Sequence, residues 1–225
     1  MTAIPTPAPV DAAPRPTTGH LGVRTVADLN VLVSELTVAD LERIEAGLDL
    51  EQAASSPARY TVWLRRQVCA WTVVGLPAVS VAALDWPLAS VRPQCLDVVG
   101  LILTDLRELS PGTRPGVVPS QPGHYLAPPG VMVAAALLCL DVARRCAPLL
   151  PGATALSASR TAQGTGTRYL ARCADLADRA AGAEREIRDW GTLAAPEQVE
   201  HARTAARRFT ARLADALDTG RRTGW

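Results

Sequence analysis

Apolar residues recur along this chain at spacings of three and four, the period of helices packed on one side. The last third shows the pattern most cleanly. Leu170, Cys173, Leu176, Ala180, Ala183, Ile187 and Trp190 form one series, broken at Gly191. After Pro196 the series resumes as Val199, Ala202, Ala206, Phe209, Leu213 and Ala216. Two helices with matching seams and a short connection predict an antiparallel hairpin. The seams are rich in alanine, so the helices pack closely but bury little area per turn. They need the rest of the domain, or another chain, to cover them.

Upstream, the same reading gives a series of shorter helices. Val23–Leu36 carries Val26, Leu29, Val31, Leu32 and Val33. Thr37 to Asp40 resembles a capping box ahead of a helix over 38–45, with Leu41 and Ile44 inward and Gly47 as its stop. Residues 48–54 add a further turn or two. Ser56 then serves as N-cap and Pro57 as first helical residue of a longer element bearing Trp63 and Trp71. No charge occurs from Gln67 to Leu84. Gly75 and Pro77 predict a break there, followed by a second apolar segment over 78–84. Helices over 93–109 and 131–147 follow. The second reads as the most buried, with Asp141, Arg144 and Arg145 at its solvent-facing end and Pro148 and Pro151 closing it. The only strand-like runs, 72–74 and 116–118, lack alternation and a neighbouring hairpin turn.

Two segments break the pattern. Residues 1–22 are rich in Pro, Ala and Thr, a composition that predicts a disordered tail and has no apolar core of a secretory signal. Residues 110–130 hold six prolines and four glycines, too many for regular structure; a loop this long inside a domain is commonly functional or disordered. The predicted fold is all-α: a bundle of roughly six to eight helices. It is divided into the tail, a helical core over 23–160 with its Pro/Gly-rich loop, and a hairpin over 161–225. A membrane span over 67–84 is disfavoured, because Gln67, Thr72, Gly75, Pro77 and Ser80 interrupt it.

Composition changes this picture little. Of the 225 residues, 48% are hydrophobic and 20% charged, as in globular domains, and 4% are aromatic, which favours helix over sheet. All 23 basic residues are arginine, so lysine Schiff-base and P-loop chemistry are excluded. The net charge of +1 gives no strong nucleic-acid signal. Residues 1–159 hold 11 arginines against 13 acids and residues 160–225 hold 12 against 9, too mild a skew to name a partner. The five cysteines, Cys69, Cys95, Cys139, Cys146 and Cys173, form no CxxC pair and sit in apolar contexts. Buried free thiols in a reducing cytoplasm follow.

Candidate chemistry is sparse. Arg114, His124 and Tyr125 lie in the Pro/Gly-rich segment and could bind a small molecule, against the plainer reading of a solvated histidine and an anchoring tyrosine. Asp97, Asp105 and Glu108 share a helix, but too loosely for a magnesium cluster, so they read as an exposed acidic face. Glu197 and His201 are one turn apart without the second such pair that a di-metal bundle needs. Residues 163–167 form a Gly-rich turn before a helix, without the strand or lysine of a nucleotide site. The region 36–66, with Arg59, Tyr60, Arg65 and Arg66, could be a helix-turn-helix, but Glu42, Glu45, Asp49 and Glu51 crowd it.

No catalytic constellation, metal site or cofactor is predicted, and no known family is resembled. The leading expectation is a non-catalytic interaction protein, an adaptor or assembly subunit. Its C-terminal hairpin would bind a protein partner or a second copy through Trp190, Arg203, Arg207, Phe209 and Arg212. The alternatives are a small-molecule-binding protein or enzyme with a pocket under 110–130, and a DNA-binding regulator acting through 36–66.

Overall fold

A computed structural model describes residues 39–53, 55–76, 86, 88–91, 96–110, 127–158 and 166–223. The N-terminal tail and the predicted helix 23–36, the apolar segment 78–84, and most of the Pro/Gly-rich segment lie outside the described residues. What is described is all-helical, as the spacing predicts. In chain order the elements are α1 (39–48), α2 (Leu50–Ala53), α3 (Pro57–Val74), α4 (Val98–Leu109), α5 (Pro129–Cys146), a single 3-10 turn (Ala147–Leu149), α6 (Leu150–Ala158), α7 (Arg168–Leu193) and α8 (Pro196–Thr223).

Local chemistry sets several boundaries. The Ser56 hydroxyl accepts the Arg59 N–H at 3.3 Å, and Pro57 opens α3, as the sequence predicts. α3 ends where Gly75 adopts φ 63°, a left-handed conformation that costs glycine nothing. One expectation is corrected. The first helix runs through Gly47 to residue 48, because Gly47 is buried where α1 meets Leu217 of α8. α5 ends at Cys146, just before Pro148, as the sequence predicts. The chain tightens into the 3-10 turn and restarts as α6, with Pro151 in its first turn, where its missing N–H costs no hydrogen bond.

The core forms around α5. Twelve of its 18 residues are buried, among them Val133, Ala134, Ala135, Ala136, Leu138, Leu140 and Val142. α5 packs along α8 on one side and α7 on the other. α3 packs on α8 and α4, and α4 reaches α7. The predicted hairpin is present as a chain path, with α7 and α8 joined through Ala194 and Ala195. Its two seams are covered by α5 rather than chiefly by each other. Leu170, Cys173, Leu176, Ala180, Ala183 and Ile187 of α7 are buried, and so are Ala202, Ala206, Phe209 and Leu213 of α8.

The closest approach lies at the start of α5. A Cβ on Gly130 would fall 2.1 Å from the Gln198 carbonyl oxygen and 3.0 Å from the Ala202 nitrogen, both backbone atoms of α8. The Gly130 N–H also donates to the Gln198 side chain at 3.2 Å. Near the middle of the bundle, Gln67 is 1% exposed on the inner face of α3, and neither of its amide atoms has a hydrogen-bond partner. Such burial costs stability, which an apolar side chain of similar size avoids.

Two stability predictions follow from these sites. Gly130→Ala should lower the free energy of unfolding by about 2–3 kcal/mol, because backbone cannot move aside as a side-chain tip can. Gln67→Leu should raise it by about 1–2 kcal/mol. Urea titration monitored by circular dichroism measures both. An unchanged midpoint for Gly130→Ala, or a loss for Gln67→Leu, would contradict the packing described.

Candidate functional site: the capped start of α7 and the surfaces left open

The best-organised polar group in the molecule joins α4 to the start of α7. Thr167, the residue before α7, makes no side-chain cap. The cap comes from α4 instead. One oxygen of the Asp105 carboxylate accepts the Arg168 N–H and the other the Tyr169 N–H, each at 2.9 Å. Glu108 accepts the Gly166 N–H at 3.0 Å and the Arg168 guanidinium at 2.8 Å. The Gly166 carbonyl accepts the Tyr60 hydroxyl at 3.1 Å, which brings α3 into the same junction. The expected exposed acidic face is therefore wrong for Asp105, which is 0% exposed. Only Asp97 is exposed, and it caps α4 through the Gly100 N–H.

Burial pushes the Asp105 carboxyl up to about 6, against the pull of the Tyr169 and Arg168 N–H groups, which favour the carboxylate. The ordinary value is about 4. The unfolded chain therefore releases this proton at lower pH than the folded one. The group's stabilising contribution is complete below about pH 4 and is lost as pH rises through 6. The site is a helix cap that ties α4 to the start of α7.

The aromatic and thiol groups below this junction are buried as well. Tyr60 stacks on Trp63 with ring centroids 5.8 Å apart, and Trp63 meets Tyr169 at a tilt of 37° with centroids 6.0 Å apart. The Trp63 indole N–H donates to the Leu48 carbonyl at 2.6 Å. Cys139, Cys146 and Cys173 are buried and not joined in disulfides, and Cys69 is partly exposed. Burial holds the Cys69 thiol above its ordinary range, so it is a sluggish nucleophile. Cys95 lies outside the described residues.

The remaining predicted residues do not converge. Arg114, His124 and Tyr125 lie outside the described residues. Glu197 and His201 are exposed on α8, and among the described residues no group of three or more His, Cys, Asp or Glu is placed to hold a metal. In the region 36–66, Tyr60 points into the core, while Arg59 and Arg65 face solvent and Arg66 lies 3.8 Å from Asp49. On the hairpin, Phe209 is 1% exposed, so its role is packing, and the Arg208 guanidinium sits 5.2 Å from its ring centre. Arg203 is partly buried and lies 3.6 Å from Glu200. Trp190 is half-buried against the core, whereas Arg207 and Arg212 are exposed.

Among the described residues, two apolar surfaces stand out. The first is the hairpin tip, where Thr192, Leu193, Ala195, Pro196 and Glu197 are all exposed, Leu193 to 87%. The second is an outer face of α3. There Val62 is 38% and Val73 58% exposed, and grooves of about 270 and 200 Å³ flank them. Sequence spacing alone did not separate these from core positions, because Val62, Val73 and Leu193 sit in runs as apolar as their buried neighbours. No described helix is long and apolar enough to cross a membrane.

The chain matches no protein-family model, and neither the curated proteins nor the solved structures contain a significant match to it.

Asp105→Ala should destabilise the protein by about 2 kcal/mol at pH 7, because it leaves two N–H groups of the first turn of α7 without partners. Unfolding free energies of the two proteins, measured between pH 4 and 7, should converge as pH rises. A gap that widens with pH would mean that the two hydrogen bonds outweigh the burial of the charge.

Proposed function

We propose that the protein is a non-catalytic helical interaction protein, an adaptor or assembly subunit. On this reading a protein partner, or a second copy of the chain, meets the tip of its C-terminal hairpin. The observation that carries this is the 87% exposure of Leu193 in a run of exposed residues, directly beyond the half-buried Trp190. Covering a leucine of this kind stabilises a complex by about 1.5–3 kcal/mol. Arg207 and Arg212 are exposed further along α8, about 16 and 24 Å from its start, and would join the contact only if the partner extends along that helix. Since α5 already covers the seams, the contact surface assigned to the hairpin moves from its inner face to its tip. The polar groups that are organised, Asp105 and Glu108, are used up in holding α7, which leaves no assembled acid, base and nucleophile among the described residues. Thiols not joined in disulfides fit a reducing cytoplasm.

Leu193→Asp tests the reading without disturbing the core. Association, whether seen as a dimer in sedimentation velocity or as a partner cross-linked from a photoreactive residue at position 192, should weaken at least tenfold, about 1.4 kcal/mol. The unfolding midpoint should not move. A protein that is monomeric at all concentrations and gives no cross-link from the tip would remove the proposal.

A further inference from the structure

The outer face of α8 carries one sign of charge. From His201 to Ala214 the chain holds four arginines and no acid. Ala202, Ala206, Phe209 and Leu213 turn inward and are buried, while Arg207, Arg208 and Arg212 are exposed. Arg208 and Arg212 are one turn apart, about 6 Å along the axis, and Arg207 flanks them. Three guanidinium groups therefore crowd the middle of this helix.

Elsewhere the chain sets arginines against carboxylates. Arg43 meets Asp215 and Asp218, Arg144 meets Glu184, Arg168 meets Glu108, and Arg179 meets Asp175 one turn away. The middle of α8 departs from this. The residue four beyond Arg208 is Arg212, a like charge at the spacing where helix side chains meet. Four before Arg207 is Arg203, which lies 3.6 Å from Glu200. The one acid within a turn, Asp215, is engaged by Arg43 at 2.6 Å. Among the described residues, none of the three exposed arginines is in an ion pair. The Arg208 guanidinium rests against the Phe209 ring, which accounts for that residue alone. A like-charge cluster that no internal pair offsets is a local conflict of the kind found at contact surfaces.

The patch is also short. Arg207 to Arg212 spans about 7.5 Å, and exposed Glu200 and Asp215 bound it on either side. A nucleic-acid backbone or a membrane surface would run past the arginines onto both acids. A protein helix need not, and glutamates four residues apart on such a helix repeat at the same distance as Arg208 and Arg212. We propose that the outer face of α8 docks an acidic helix of a partner protein through Arg207, Arg208 and Arg212. This surface is additional to the hairpin tip and does not depend on the tip being occupied.

The probe is a fluorescein-labelled, alanine-rich peptide, helical by circular dichroism, with glutamate at every fourth position. Fluorescence anisotropy follows its binding to the full chain at about 20 mM ionic strength, where surface charge is weakly screened. The parent should bind it, and Arg207→Gln/Arg208→Gln/Arg212→Gln should bind about tenfold more weakly. Arg212→Gln alone, which leaves the Arg208–Phe209 contact in place, should weaken binding about threefold. Raising the salt to about 200 mM should narrow these differences. Leu193→Asp should bind this peptide as the parent does, which separates the surface from the tip; a loss there would place the peptide at the tip and overturn the proposal. No binding by the parent, or equal binding by the parent and the triple variant, would overturn it too. So would tighter binding of a single-stranded oligonucleotide or of phosphatidylglycerol vesicles to the same arginines, which would assign the face to phosphate.

Discussion

The structure depends on keeping one helix thin. α5 is flanked by the two longest helices, α7 and α8, so its side chains must be apolar and mostly small. Ala134, Ala135, Ala136 and Ala143 let the neighbours approach, and Gly130 admits the backbone of α8 where no Cβ fits. Charge appears on α5 only near its C-terminal end. There Asp141 pairs with Arg145, Arg145 with Glu45 of α1, and Arg144 with Glu184 of α7. Alanine contributes little area per residue, so stability comes from covering both alanine-rich seams at once. Neither α7 nor α8 buries its seam without α5.

This explains which parts of the fold were legible in the sequence. The apolar periodicity of α3, α5, α7 and α8 reports faces that are buried, and burial depends on spacing alone. Ser56, Pro57 and Pro196 mark helix starts through local backbone chemistry, and those readings hold. What covers a seam is not local. The hairpin residues Ala202, Ala206 and Phe209 read equally well as a partner surface or an internal one, and only the position of α5 decides. The role of Asp105 was hidden for the same reason. Its partners, the N–H groups of Arg168 and Tyr169, are more than 60 residues away and belong to backbone, which carries no residue-type signal. Leu193 and Val73 were illegible in the opposite sense, since an apolar residue at a helix end or in an apolar run looks buried until its neighbours are placed.

The two apolar surfaces lie at opposite ends of the long α8. The tip stands where α8 begins, beside Gly130 and the start of α5. The α3 face stands where α8 ends, beside Leu217 and Gly220. A single helix of 28 residues, about 42 Å, separates them, and its inner face is packed along that length against α5 and α3. Events at one end therefore meet a stiff element before they reach the other.

The capping of α7 by α4 bears on how the chain acquires its structure. α7 lacks a starting signal of its own, because the acceptors for its first N–H groups are on another helix, across a loop of more than 60 residues. Closing that loop costs chain entropy before the contact gives anything back. The capping bonds of the first turn of α7 therefore form only where α4 and α7 meet, and the hairpin segment alone does not contain the acceptors for them. Its cooperative unit includes α4, whose carboxylates hold the end of a helix that the local sequence leaves open.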